Sequence, residues 1–153
     1  MKACPYPVAD LLPHAPPMLL LDAVLGYDTG RLQAVVTIRD DSLFFRGEGV
    51  PAHIAIEYMA QACGALAGIE ALSANKPVRL GFLLGTRNFR STRDFFRAGE
   101  RLLISVDEVF RDVEMGVFEG RVSVDEVILA TATLNVYQPQ DEGNILGPNQ
   151  SDG

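Results

Sequence analysis

The stretch VPAHIAIEYMAQACGALAGIEALSA, residues 50–74, is the longest run in this sequence that is compatible with a helix. Pro51 suits the first turn of a helix, because the N–H that proline lacks has no helical partner there. Apolar and small residues occupy almost every side of the stretch, which is typical of a helix buried inside its domain. We therefore expect one central helix, surrounded by a sequence that mostly forms strands.

A polar stripe follows one side of this predicted helix. His53, Glu57 and Gln61 are spaced four residues apart, so their side chains lie one above another. Gly64 and Gly68 continue the stripe. A carboxylate on a buried helix is costly unless it is paired or protonated. Glu57 therefore either lies at an exposed helix edge or lines a pocket as a general acid or base.

Composition limits the classes of function. The 153 residues fit a single domain, and a net charge of −7 argues against general nucleic-acid binding. No apolar run approaches the roughly 20 residues of a membrane span, and the N-terminus does not resemble a signal peptide. We expect a cytoplasmic protein.

Cysteine and histidine are both scarce. Cys4 and Cys63 form no motif, and Cys63 is expected to be a buried packing residue. The two histidines are His14 and His53, with no Cys/His cluster around them, so we expect neither a zinc site nor any other metal or redox cofactor.

Periodicity predicts strands on both sides of the helix. After a proline-rich lead-in with a helical turn at residues 8–12, the predicted strands are residues 18–27, 31–39, 78–86, 101–111, 116–125 and 127–137. Short connections favour antiparallel pairing. The order β-β-α-β-β-β-β thus predicts an α+β domain at residues 1–138, in which the sheet curls around the helix. Residues 139–153 are predicted to form a disordered tail.

Three segments resemble bacterial 3-hydroxyacyl-[acyl-carrier-protein] dehydratases. Residues 11–22, LLPHAPPMLLLD, are similar to the LPHRxPxLLLD segment that opens those enzymes. Residues 57–64, EYMAQACG, resemble their EAMAQAxG helix, and residues 82–101 resemble the strand segment FxGIxxxxFxxPVxPGD. Within the family, the sequence is most similar to the dehydratase-like protein of aryl polyene pigment clusters. The resemblance implies the hotdog fold, an antiparallel sheet wrapped around one long helix.

The resemblance also implies a shared active site. In this family two subunits join their sheets, and each site combines an acidic residue from one central helix with a histidine of the other subunit. Glu57 and Gln61 match the family's glutamate and glutamine, whereas Leu43 stands where the family has its catalytic histidine. His14 matches a histidine of the LPHR segment. We therefore retain His14 and His53 as catalytic candidates; a structural hydrogen bond and solvent exposure are their alternatives.

Other candidate contacts follow from the reaction such an enzyme performs. N–H groups near residues 51–54, at the helix N-terminus, are placed to polarise a thioester carbonyl. Gln61, Gly64, Phe44 and Phe89 are candidate substrate-binding residues, although the phenylalanines are equally typical of an ordinary core.

Basic residues cluster after the helix. Seven lie within residues 76–101, and among them Arg87, Arg90, Arg93 and Arg97 are our predicted docking residues for an acidic carrier protein or its phosphate. The alternative is a solvated strand edge.

These observations predict a 3-hydroxyacyl-[acyl-carrier-protein] dehydratase that forms trans-2-enoyl thioesters in fatty-acid-like or aryl polyene biosynthesis. Its substrate is carried on acyl carrier protein or coenzyme A, and it forms a homodimer or a heterodimer with a related hotdog subunit. One alternative is a hotdog thioesterase, in which the helix carboxylate activates water. The other is a non-catalytic partner of an active dehydratase, which Leu43 favours.

Overall fold

The computed structural model describes residues 1–79 and 81–137. The helices are α1 (Val8–Leu11), a short 3-10 helix (Ala52–Ile54) and α2 (Ala55–Ser73). The strands are β1 (Ala23–Asp28), β2 (Arg31–Thr37), β3 (Val50–Pro51), β4 (Phe82–Ser91), β5 (Phe95–Phe96), β6 (Arg101–Arg111), β7 (Met115–Val124) and β8 (Val127–Tyr137). The predicted tail at residues 139–153 lies outside the described residues.

Six strands form one antiparallel sheet in the order β1-β2-β6-β7-β8-β4, and β3 and β5 form a separate two-stranded pair. Helix α2 packs across β2, β6, β7 and β8. This confirms the predicted α+β architecture, in which one antiparallel sheet wraps around one long helix.

Alternation along the strands creates the core. Leu32, Ala34 and Val36 of β2 are buried in the cluster that surrounds α2, as strand periodicity predicts. The helix approaches β7 closely at Gly120, where a Cβ atom would lie 2.7 Å from Met59 Sδ. A larger residue at position 120 would therefore require the Met59 side chain to move.

The start of the central helix differs from the prediction. Val50 and Pro51 pair with Phe96 and Phe95 as an extended strand, so Pro51 does not lie in the first turn of an α-helix. The N–H of Ala52 donates to the Asp94 carbonyl at 2.8 Å. Long-range pairing with β5 thus delays regular α-helix until residue 55.

The first strand also begins later than predicted, at Ala23 instead of residue 18. The Gln61 side chain donates to the Met18 carbonyl at 2.7 Å and accepts the Leu20 N–H at 2.8 Å. These backbone groups are therefore satisfied by a helix side chain and not by a neighbouring strand.

Strand β4 extends past the predicted break after residue 86. Its register shifts between Arg87 and Arg90, where Asn88 has a positive φ of 57°, and the strand continues to Ser91. A second shift lies next to Gly85, as expected for a glycine inside a strand.

The N-terminal segment crosses α2 at two glycines. A Cβ atom on Gly68 would overlap the carbonyl group of Leu11, whereas a Cβ atom on Gly64 would meet only the Leu12 Cδ2 atom, at 3.0 Å. Gly68 faces backbone, which cannot easily move, whereas Gly64 faces a flexible side chain. We therefore expect position 64 to accept a larger residue more readily than position 68.

We expect Gly68→Ala to lower the free energy of unfolding by about 1–3 kcal/mol, because the new methyl group displaces the Leu11 backbone. This loss outweighs the roughly 1 kcal/mol that alanine gains in helix propensity. Urea denaturation measures the change. Gly64→Ala is the matched control on the same helix and should be neutral or stabilising. Equal losses in both variants would contradict the crossing described here.

Candidate active site

A cavity of about 460 Å³ runs along one face of α2. Its helical wall consists almost entirely of small or polar residues: Glu57, Ala60, Gln61, Cys63, Gly64, Ala67, Glu70, Ala71 and Ala74. The N-terminal segment, the turn between β6 and β7, and the ends of β4 and β8 supply the remaining walls. The cavity is therefore a long slot whose width is set by glycine and alanine.

The slot brings together four residues that the sequence singled out. Glu57, His14, Gln61 and Gly64 all line it. The Glu57 side chain is exposed in the single chain, so both interpretations of this residue hold in part: it lies at an open helix edge, and that edge faces the cavity. His53 lies outside the cavity, exposed on the 3-10 helix that precedes α2.

The two ring nitrogens of His14 are the next feature of the cavity wall. The ring lines the cavity, yet its Nδ1 atom is buried and has no hydrogen-bond partner among the described residues. A buried polar atom without a partner lowers stability and calls for an explanation. The structural hydrogen bond considered for His14 is therefore not present at Nδ1.

Gln61 is buried and uses both ends of its amide on the backbone of Met18 and Leu20. The amide holds the N-terminal segment on the helix, one turn from Glu57, and the predicted role of Gln61 in substrate binding stays a prediction. Gln61 therefore positions the segment that carries His14.

Phe44 and Phe89 lie apart from this cavity. Both are half-buried and pack against the hydrophobic core. Their placement favours the core alternative, and a role in substrate binding stays a prediction.

Leu43, at the position of the family's histidine, lines a different and smaller cavity of about 210 Å³ together with Tyr58, Asp22 and Arg39. Burial, and secondarily the Asp22 carboxylate, raises the pKa of the Tyr58 hydroxyl, which therefore stays protonated at neutral pH. Within one chain, position 43 and Glu57 thus belong to separate cavities.

The far end of the slot is ionic. Arg111 Nη1 lies 3.2 Å from Glu70 Oε1, and Arg111 Nε lies 2.6 Å from Glu108 Oε2. Lys76 and Glu114 line the same end. Sequence reasoning missed the Glu70–Arg111 contact because its partners lie 41 residues apart and belong to no local motif.

The predicted docking arginines do not form one set. Arg87 and Arg90 are exposed and are in register with Thr133 and Thr131, on the sheet face opposite α2. Arg97 is exposed just after β5. The Arg93 side chain is only 23 % exposed, and its Nη2 atom lies 2.7 Å from Glu100 Oε2. This pairing favours a structural role for Arg93, and its role in docking stays a prediction.

Cys63 is buried, and burial raises the pKa of its thiol, which is consistent with a packing residue. Within the described part of the chain, no cluster of His, Cys, Asp and Glu is suited to hold a metal ion. No helix in that part is long and apolar enough to cross a membrane. The cytoplasmic location stays a prediction.

The Arg93–Glu100 pair predicts acid sensitivity. Burial alone would raise the pKa of Glu100, but hydrogen bonds from the Arg93 guanidinium and the Arg97 N–H lower it overall. The pair therefore contributes fully above the ordinary carboxyl pKa of about 4.3 and is lost as the pH falls through the lower folded value. We expect Glu100→Gln to lose about 1 kcal/mol at pH 7 and to flatten this acid-side slope. Chemical denaturation between pH 3 and pH 7 measures both effects, and an unchanged slope would refute the assignment.

Gln61→Leu should lower the free energy of unfolding by about 1–3 kcal/mol, since it leaves the Met18 carbonyl and the Leu20 N–H without partners in a partly buried site. Gln61→Glu is the informative companion, because it retains the acceptor for Leu20 but loses the donor for Met18. Thermal denaturation should place Gln61→Glu below the parent protein, and a parent-like melting temperature for both variants would argue against the clamp.

Comparisons with known proteins identify the family. The family model described as "ApeP-like: ApeP dehydratase" matches residues 6–147. The 3-hydroxyacyl-[acyl-carrier-protein] dehydratase FabZ of Yersinia enterocolitica is 32% identical over 133 residues, covering 83% of this chain and 78% of that protein.

Solved structures agree on the fold. The dehydratase heterocomplex ApeI:P from Xenorhabdus doucetiae contains a chain with 34% identity and a TM-score of 0.83, and the match covers 92% of this chain and 96% of that one. The Escherichia coli PaaI protein, from the phenylacetic acid degradation operon, has 12% identity and a TM-score of 0.60 over 75% of this chain and 81% of its own, which supports the fold alone. The chain belongs to the ApeP-like dehydratase family, within the hotdog fold.

Proposed function

We propose that this protein takes part in the dehydration of 3-hydroxyacyl chains held as thioesters on acyl carrier protein, with Glu57 as the residue that exchanges a proton with the substrate. One observation carries this assignment. Glu57 matches the family's glutamate and faces a slot that follows α2 past Ala71, roughly 20 Å away at the rise of an α-helix. The slot therefore offers both a proton-transfer group and space for an extended acyl chain.

The reaction needs two proton movements. The C2–H bond breaks and its electron pair forms the C2=C3 double bond as the C3–O bond breaks. The hydroxyl group then leaves with one proton as water. A carboxyl group on the cavity wall can supply or accept one of these protons. The apolar and small residues beside it limit water around the developing enolate, which strengthens hydrogen bonds to that charge.

A second subunit is part of the proposal. The outer edge of β1 is bridged by Lys2, which exchanges two 2.9 Å hydrogen bonds with Tyr27. Strand β4 is at the other end of the sheet, and along its ten residues its outer edge pairs with no strand in the described part of the chain. An open edge of this length suits strand pairing with another sheet. The ApeI:P relative is a heterocomplex, so we place a related hotdog subunit there.

Leu43 supports unequal subunits. Because leucine cannot transfer protons, this chain does not supply the family's histidine, and we assign that histidine to the partner subunit. The proposed site therefore combines Glu57 of this chain with an imidazole of the partner. A homodimer would lack the family's histidine in both sites.

The carrier protein is proposed to dock on Arg87, Arg90 and Arg97. All three are exposed, and the net charge of −7 would otherwise repel an acidic carrier. Arg93 is left out because Glu100 neutralises it. Aryl polyene biosynthesis is the proposed pathway, supported by the family match.

The decisive variant is Glu57→Gln, which keeps the shape of the side chain but removes its proton exchange. We expect dehydration to fall by about 10²–10⁴-fold, the usual contribution of general acid–base catalysis. Mass spectrometry of a 3-hydroxyacyl carrier-protein thioester detects the loss of one water, with the protein assayed alone and together with its co-purified partner. Glu119→Gln, an exposed residue of β7, is the control and should retain full activity.

Other outcomes of the same assay are equally informative. Loss of the whole acyl group would assign a thioesterase. Dehydration by the complex that Glu57→Gln leaves unchanged would make this chain the non-catalytic partner.

A further inference from the structure

The imidazole of His14, whose buried Nδ1 has no hydrogen-bond partner among the residues that the structure describes, has no role in the mechanism above. We infer that His14 is a catalytic residue that donates a hydrogen bond from Nε2–H to the thioester carbonyl oxygen, without itself transferring a proton. This inference rests on the proposed dehydration and adds one role to it, the stabilisation of charge on the carbonyl oxygen as the C2–H bond breaks.

The position of the ring is built by several contacts. Leu11 and Leu12 lie against α2 at Gly68 and Gly64, just before His14. After it, the Gln61 amide holds Met18 and Leu20. The segment is thus fixed to the helix on both sides of residue 14, along the same wall that carries Glu57. The backbone that carries the ring is therefore held before and after residue 14.

The orientation of the His14 ring indicates which of its two nitrogens carries the proton. Nδ1 is buried and has no hydrogen-bond partner within residues 1–79 and 81–137, so a proton placed there would be a buried N–H without a partner in that part of the chain. The ring nevertheless lines the cavity, and we assign Nε2, the other ring nitrogen, to the side that faces it. The neutral tautomer with its proton on Nε2 satisfies both conditions. That tautomer is a hydrogen-bond donor toward the cavity.

Two of the positions expected to polarise the carbonyl from the helix N-terminus do not provide a free N–H group. The sequence suggested that N–H groups at the start of the helix polarise the thioester carbonyl. However, Pro51 has no N–H, and the Ala52 N–H donates to Asp94. His14 therefore supplies a polarising hydrogen bond that the first residues of this turn do not. Fixed donors aimed at developing negative charge are worth about 10²–10³-fold in kcat each.

Two substitutions of His14 distinguish a hydrogen-bond donor from a residue that only supports the structure. The amide nitrogen of glutamine superimposes on histidine Nε2, whereas that of asparagine superimposes on Nδ1. We expect His14→Gln to keep kcat within about 10-fold of the parent, and His14→Asn and His14→Ala to lose about 10²–10³-fold at an unchanged melting temperature. The assay uses the same protein or complex in which the parent shows dehydration.

A spectroscopic measurement tests the hydrogen bond directly. The infrared C=O band of a ¹³C-labelled crotonyl-pantetheine thioester should shift to lower frequency on binding to the parent and to His14→Gln. It should not shift with His14→Ala.

Three results would overturn the inference. They are full activity in folded His14→Ala, a glutamine variant as impaired as the alanine variant at equal stability, and an unshifted carbonyl band in the parent complex. Absence of dehydration by the parent protein, alone and with its partner, would instead refute the proposed function. The two failures are therefore distinguishable.

Discussion

The close crossing of the N-terminal segment over α2 is the constraint on which the rest of the site depends. A helix that the sheet surrounds on most sides has little surface left for chemistry, and the crossing encloses part of that surface as a slot. It needs glycine where Leu11 passes and a glutamine that can satisfy two backbone groups at once. These requirements explain why polar and small residues interrupt an otherwise apolar helix.

The start of the helix is fixed from the opposite side of the chain. The β3–β5 pair, the Ala52–Asp94 hydrogen bond and the packing of Phe96 on Tyr58, with ring centroids 6.4 Å apart, all lie within one or two turns of Glu57. The Arg93–Glu100 pair stabilises the loop that makes these contacts. The position of Glu57 along the wall therefore depends on residues from three separate parts of the sequence.

Much of the fold and part of the candidate site could be predicted from the sequence, for a physical reason. The periods of strands and of the central helix are local, so β6 and β8 were predicted to the residue, and the stripe containing Glu57 was found from spacing alone. Contacts between residues far apart in the sequence could not be predicted. Val50 and Pro51 pair with β5, Gln61 binds the Met18 carbonyl, and Arg93 forms an ion pair with Glu100. Each of these contacts depends on a partner that only the fold brings near. The sequence identified His14 as a candidate, but it could not show that the Nδ1 atom is buried without a hydrogen-bond partner among the described residues.

The open edge of β4 has a consequence for the cell as well as for catalysis. The outer edge of this ten-residue strand pairs with no strand in the described part of the chain, and Leu83 and Leu84 are exposed along it, so it is a template onto which another extended segment can add. If the proposed second subunit covers this edge, copies of this chain made in excess of that subunit would be the species that aggregates or is degraded. Matched synthesis of the two subunits would then protect this chain, and their stoichiometry would be selected together with activity.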